Sequence, residues 1–208
     1  MLIEGYRDEG GLVVPAWDFK IGRYLRESLS QADLAISHCQ RRDVVVQAGG
    51  NCGLWAKHLS GLFGAVYTFE PDPANFFALA FNTYGLSNVI RLQAALGDRH
   101  ACVDMNRSVK NCGAYYVEGG GLLPVLRIDD LGLPACDLIY LDVEGSELAA
   151  LRGAVDTIEQ FSPVIAFEDK GLGKRFGVEQ GAVEKWLTDV LSYKTVAKDN
   201  HDTVMVRA

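Results

Sequence analysis

The 208 residues include 20 basic and 27 acidic side chains for a formal charge of -7, with 49% hydrophobic and 23% charged residues. This mix excludes extended disorder and fits one globular domain, and its acidity argues against a general binder of phosphate backbones. The five cysteines (Cys39, Cys52, Cys102, Cys112, Cys136) are odd in number and never spaced C-x-x-C, so a reducing compartment fits better than a disulfide framework or zinc ribbon.

In chain order, the N-terminus MLIEGYRDEGG has neither the basic start nor the apolar run of a signal peptide. No later stretch reaches the roughly 18 apolar residues of a membrane span, so the expectation is a soluble cytoplasmic chain without membrane contact. Residues 1–42 hold a helical stretch, Arg23–Gln40, expected to cover one end of a sheet, and residues 43–208 are expected to form the main domain, compact with that segment. Buried strands are predicted at Asp43–Gln47, Ala65–Phe69, Asn88–Ala94, Asp137–Val143 and Pro163–Phe167, because each is a short, near-continuous apolar run. Helices are predicted between and after them at Leu54–Gly61, Pro73–Thr83, Ser146–Ile158 and Val178–Leu191. In the last, Val183, Trp186, Leu187 and Val190 form one apolar stripe. Residues 98–126 lack helical periodicity and read as a small β insertion. Tyr193–Ala197 and Thr203–Arg207 flank the polar turn KDNHD and read as a terminal hairpin. The alternation predicts an α/β fold with an open, mostly parallel sheet and an antiparallel last strand.

Two stretches carry chemistry. In VVVQAGGNCGLWAKHLS, residues 44–60, a buried strand runs into a glycine turn and then a helix. Gly49 and Gly50 permit a close backbone approach, and free N–H groups of the turn are expected to hold an anionic or polar group. Glu70 follows Gly49 by 21 residues, at the end of the next strand. An acid there can accept hydrogen bonds from both hydroxyls of a ribose. The bland alternative is a tight turn and an unrelated loop acid. A dinucleotide fingerprint fails at its first glycine, which is Ala48 ahead of Gly50 and Gly53, and no P-loop occurs; an S-adenosylmethionine (SAM) site tolerates the pattern.

The second stretch is CDLIYLDVEGSELAALRGA, residues 136–154. A strand ends at Asp142, Glu144 follows, and Ser146 and Glu147 read as an N-cap and a solvated first-turn acid. Another strand ends at Glu168. Neighbouring strand ends lie about 4.8 Å apart, so Asp142 and Glu168 are expected to converge at the carboxyl edge of the sheet. Converging carboxylates need a cation, which could be a metal, a basic side chain or a sulfonium. If a metal, Asp142 and Glu168 are its expected ligands and Mg²⁺ suits the oxygen set; the metal-free version is preferred. His58 and His100 read as surface residues. Asn111, Tyr115 and Tyr116 are candidate substrate contacts from the insertion.

Residues 43–168 resemble the FkbM family of SAM-dependent methyltransferases, through VVVQAGGNCG, FEPDP with Asn75, NVIRLQAALGD, LRIDDLGLPACDLIYLDVEGSELAALRGA and PVIAFE. The resemblance implies a Rossmann-like class I fold with seven strands. It implies that Gly49, Gly50, Asn51 and Gly53 contact the methionine part of SAM, that Glu70, followed by Pro71, holds the ribose, and that Ala94, Ala95 and Leu96 flank the adenine. Asp142 would sit by the sulfonium with Glu144 beside it, and Asp142, Glu144 and Glu168 would serve catalysis. Three cofactor-side positions depart from the family's pattern. Gln47 stands where an acid is usual, Tyr140 where lysine is frequent, and Trp55 where a smaller aromatic residue is frequent. The implied activity is O-methylation of a hydroxyl on a small molecule or sugar, with no duplex nucleic acid as partner and the oligomeric state open. The rival is a catalytically weakened domain that binds a nucleoside, SAM or a partner as an interaction module, for which Gln47 is the best argument.

Overall fold

The computed structural model describes residues 4–18, 29, 32–108 and 111–208. Within them, the strands β3 (Val44–Ala48), β4 (Ala65–Phe69), β5 (Val89–Leu92), β10 (Leu138–Leu141), β11 (Val164–Glu168), β12 (Tyr193–Asp199) and β13 (Asp202–Arg207) form one seven-stranded sheet. Its order is β12-β13-β11-β10-β3-β4-β5, and β13, the last strand, runs antiparallel to the other six. This is the open, mostly parallel sheet with an antiparallel last strand that the alternation predicted, and the seven-stranded Rossmann-like class I fold that the resemblance implied.

The apolar runs are continuous because the sheet is covered on both faces. Successive residues of the central strands alternate between two cores. Val46, Ile139, Leu141, Ile165 and Phe167 face the core under α4 (Glu147–Arg152), α5 (Val155–Phe161) and α6 (Ala182–Leu191). Val45, Leu138, Tyr140, Val164 and Ala166 face the core shared with the helical residues 32–37 (α1) and α2 (Leu54–Ser60). In α6 the buried stripe is Val183, Leu187 and Leu191, with Trp186 packed at its margin; Val190, expected in the stripe, is exposed.

Three further details differ from the sequence reading. The helix expected over Ser146–Ile158 is two helices, broken at Gly153. A Cβ there would lie 2.0 Å from the Gly97 carbonyl oxygen, so the backbone of the preceding crossover presses into the gap. Asp129 caps the second piece, accepting from both N–H and Oγ1–H of Thr157 at 2.9 Å. The second difference lies in residues 1–42. Besides α1, they form a hairpin of β1 (Tyr6–Asp8) and β2 (Val13–Pro15), three residues each. It docks on α3 (Pro73–Asn82), where Val13 N–H donates to Asn82 Oδ1 at 2.8 Å and Asn82 Nδ2 donates to Val13 O at 2.7 Å. Of the helix expected over Arg23–Gln40, residues 23–28 and 30–31 lie outside the described residues. Third, the fragment after β5 leaves the main sheet. β6 (Ala95–Leu96) joins β7 (Ala101–Asn106), β8 (Tyr116–Gly119) and β9 (Leu123–Leu126) in a four-stranded sheet, which is the predicted insertion. Among the described residues no helix is long and apolar enough to cross a membrane.

Candidate functional site

The order of the sheet reverses between β3 and β10, the position where open α/β sheets bind ligands beyond their carboxyl ends. A cavity of about 570 Å³ opens there, between the strand ends and the inserted sheet. Of the residues singled out in the sequence, Gly49, Asn51, Trp55, Glu70, Pro71, Ala94, Ala95, Leu96, Asn111, Tyr115, Tyr116, Asp142, Glu144 and Glu168 line it. Gln47, Gly50 and Gly53 do not.

Those three have other surroundings. Gln47 is buried and its Oε1 accepts the Thr68 hydroxyl at 2.6 Å. A Cβ on Gly50 would lie 2.4 Å from Leu79 Cδ1, and one on Gly53 would lie 3.0 Å from Leu79 Cα. Both glycines admit helix α3. Gly49 is different again, with φ +84° and a would-be Cβ 1.9 Å from the backbone oxygen of Asp142. It lets the turn after β3 touch the turn after β10, where Asp142 N–H also donates to Ala48 O at 3.1 Å.

The N–H groups of the glycine turn are not free, contrary to expectation. Those of Gly49 and Gly50 both donate to Phe69 O, at 3.1 and 2.8 Å, and that of Gly53 donates to Gly50 O at 2.8 Å. The N–H of Asn51, itself at φ +44°, donates to Glu70 Oε2 at 2.7 Å, while Asp72 N–H donates to Glu70 Oε1 at 2.9 Å. The turn therefore braces Glu70 rather than forming an anion hole. Burial pushes the Glu70 carboxyl up to about 7, against the pull of those two N–H donors. Each of its oxygens keeps a second lone pair for a hydroxyl donor.

At the ends of β10 and β11, Asp142, Glu144 and Glu168 each bring a carboxylate oxygen within 4.8 Å of the others. Asp142 Oδ1 is shielded from solvent and has no hydrogen-bond partner. Burial first, then Glu168 and Glu144, raise the Asp142 carboxyl well above the usual carboxylate range; Lys170 pulls it down. Lys170 also lines the cavity, and its ammonium is ion-paired with Glu168.

The loop between them has a brace that the sequence reading missed. Glu147, expected to be solvated, is 5% exposed, and its Oε1 accepts N–H bonds from Val143 at 3.2 Å and Gly145 at 3.1 Å. Ser146, expected as an N-cap, makes no capping bond and donates to Val143 O at 3.0 Å instead. Burial pushes Glu147 up to about 7. Within the loop Glu144 is held in the left-handed region at φ +55°, and Gly145 at φ +110° takes a conformation open to glycine.

The inserted sheet forms the opposite wall. Cys112 N–H donates to Asp18 Oδ2 at 2.7 Å, Asn75 Nδ2 donates to Cys112 O at 3.2 Å, and Trp17 Nε1 donates to the Tyr115 hydroxyl at 3.3 Å. Trp17 and Asp18, which follow the N-terminal hairpin, and Asn75 of α3 thus pin that wall. Arg175 closes the rim, its guanidinium 4.0 Å above the Tyr116 ring and its Nη1 donating to Glu144 O at 3.2 Å. Trp55 and Tyr140, two of the departures noted above, stack on each other at 4.7 Å and 28°. His58 pairs with Asp33 and His100 with Asp130, both outside the cavity.

Known proteins match this chain in three ways. Residues 122–194 match the model described as the Methyltransferase FkbM domain. The hexuronic acid methyltransferase AglP of Haloferax volcanii is 26% identical over 188 residues, 86% of this chain and 76% of that protein. The crystal structure of a methyltransferase FkbM from Methylobacillus flagellatus superposes with a TM-score of 0.53 at 21% identity. It matches 79% of this chain, which spans only 43% of that one. A Streptococcus mutans protein described as a methyltransferase and solved in complex with SAH gives 0.50 at 12% identity, over 88% of this chain and 97% of that one. These structural likenesses show the fold.

Proposed function

We propose that the chain is a SAM-dependent methyltransferase of the FkbM kind, whose domain model residues 122–194 match, and that it methylates a hydroxyl oxygen on a small molecule or sugar. The observation that carries this reading is the cavity itself, which joins a braced Glu70 at one end to a carboxylate cluster with an unpartnered Asp142 oxygen at the other. Its volume of about 570 Å³ suits a nucleoside cofactor and a small acceptor together. The matched hexuronic acid methyltransferase supports a sugar acceptor, and the charge of -7 disfavours duplex nucleic acid.

Glu70 and Asn51 are the residues to hold the ribose end, Ala94, Ala95 and Leu96 the base, and Gly49 and Asp142 the sulfur end. When bound, SAM supplies a methyl group activated by a positively charged sulfur. Asp142 Oδ1, buried and without a partner, offers negative charge to a neighbouring cation. Glu144 and Glu168 are the bases proposed to take up the proton that a hydroxyl gives up, since a neutral hydroxyl is a poor nucleophile. The pinned inserted wall excludes water and fixes the acceptor's approach, which for an in-line displacement is most of the catalysis. Gln47 lies off the cavity in a bond to Thr68, so it lends the weakened-domain reading little support.

Titration with SAM and SAH, followed by methyl-labelled SAM with uronic acids, neutral sugars and phenols, tests the proposal. The expected result is binding, and label that survives mild base as an ether. No binding, or label released as an ester or found on nitrogen or carbon, overturns it.

A further inference from the structure

Three carboxylates within 4.8 Å of one another are a costly arrangement unless a positive charge lies among them. The chain supplies one. Lys170 follows Glu168 by two residues, in the turn that leaves β11, and its ammonium is ion-paired with Glu168 while its side chain lines the same cavity as Asp142 and Glu144. The turn is fixed by the residue between them. Asp169 N–H donates to His201 O at 2.8 Å, and the Asp169 carboxylate accepts N–H bonds from Gly171 at 3.1 Å and Gly181 at 2.7 Å. Asp169 is thereby turned into the backbone, and Lys170 is turned to the acids.

We infer that Lys170 is the resident cation of this site, its ammonium taking the place among Asp142, Glu144 and Glu168 that a divalent metal ion would otherwise take. Its charge reaches the whole cluster, since it favours the ionised forms of Asp142, Glu144 and Asp202 as well as pairing with Glu168. Lys170 is a positioning residue: it holds Glu168 at the cavity wall and keeps the cluster from needing a metal. The consequence for catalysis, methyl transfer indifferent to added metal, rests on the function proposed above; the cation-binding behaviour does not.

The test titrates the full chain with Mn²⁺ alone and reads the free ion by electron paramagnetic resonance. The intact chain is expected to leave the Mn²⁺ signal free, and Lys170→Met to bind one ion per chain at least about tenfold more tightly, as removal of a unit charge a few ångströms away requires. Lys170→Gln, a polar change of similar length, should show the same gain, and Lys170→Arg should exclude the ion as the natural residue does. Adding Asp142→Asn to Lys170→Met should abolish the gain. Stoichiometric Mn²⁺ binding by the intact chain, or no gain in either folded neutral variant, overturns the inference. If the Mn²⁺ results hold while no methyl transfer is found, only the proposed function has failed. Where transfer is found, excess EDTA should leave its rate unchanged, and loss of activity restored by Mg²⁺ would count against the inference.

Discussion

The two ends of the cavity are built from the same chemistry and finished in opposite ways. After β4, both oxygens of Glu70 accept backbone N–H bonds, and the glycine turn beside it spends its own donors on Phe69 and Glu70. After β10 and β11, Asp142 keeps an oxygen with no partner, and three carboxylates lie close together with Lys170 paired to one of them, Glu168. The first end is braced by one N–H bond to each Glu70 oxygen, with a second lone pair left on each for a hydroxyl donor. The second holds uncompensated charge, and it is there that a positive group gains most. On the proposed function, preorganisation at one end would serve binding and electrostatic demand at the other would serve chemistry.

The largest expected effect comes from breaking the point where the two ends touch. Gly49→Ala places a Cβ 1.9 Å from the Asp142 backbone oxygen and also forces alanine to φ +84°. Gly85 has the same φ but nothing within 4 Å of a Cβ. Gly85→Ala should then cost only the conformational penalty, roughly 1–3 kcal/mol. Gly49→Ala should exceed it clearly in urea denaturation and lose SAM binding too. Equal losses in the two variants would mean that the contact does not matter.

A smaller effect isolates the braced end. Glu70→Ala should weaken SAM binding by roughly 1.5–3 kcal/mol, or about ten- to a hundredfold in Kd by calorimetry, the range for hydrogen bonds to a charged group. Unchanged affinity in a folded variant would remove Glu70 from the cofactor site.

The smallest effect sharpens the contrast through pH. Burial raises Glu70, Glu147 and Asp202 to about 7, and Asp142 and Glu144 move the same way. Unfolded carboxyls titrate near pH 4. Between about pH 4 and 7 the folded chain therefore binds more protons than the unfolded one, and stability falls as pH rises through that window. Glu184, lowered chiefly by its bond from Lys198, opposes the trend from a more exposed position. The Tm should be a few degrees higher at pH 5.5 than at pH 7.5, of the order that about 1 kcal/mol produces, and Glu147→Gln should narrow the gap. A Tm that rises with pH would refute this.

What sequence could reveal follows from how local each signal is. The central strands show as apolar runs because both faces of each are buried, and the terminal hairpin shows because its turn is polar. Glu70 and Asp142 show because strand ends and glycine turns mark themselves. The three-residue strands β1 and β2 are too short to carry a period, and they are held by Asn82 from far along the chain. The break at Gly153 depends on Gly97, 56 residues earlier. Gly49, Gly50 and Gly53 look alike in the sequence, yet one meets a strand-end backbone and two meet a helix. Lys170 was missed although the run Phe167-Glu168-Asp169-Lys170 contains a cation beside two acids; adjacency could not tell which acid it serves.

The stack of Trp55 on Tyr140 has an optical consequence. Of the three tryptophans, only Trp55 lines the cavity, with its indole against a buried phenol. Trp17 lies toward the surface and Trp186 sits on α6 at the margin of the core. Ultraviolet emission from this chain therefore contains one component whose surroundings change whenever the cavity fills. Variants with Trp17→Phe and Trp186→Phe would leave that component alone, so that occupancy by an unlabelled molecule could be followed in real time by fluorescence.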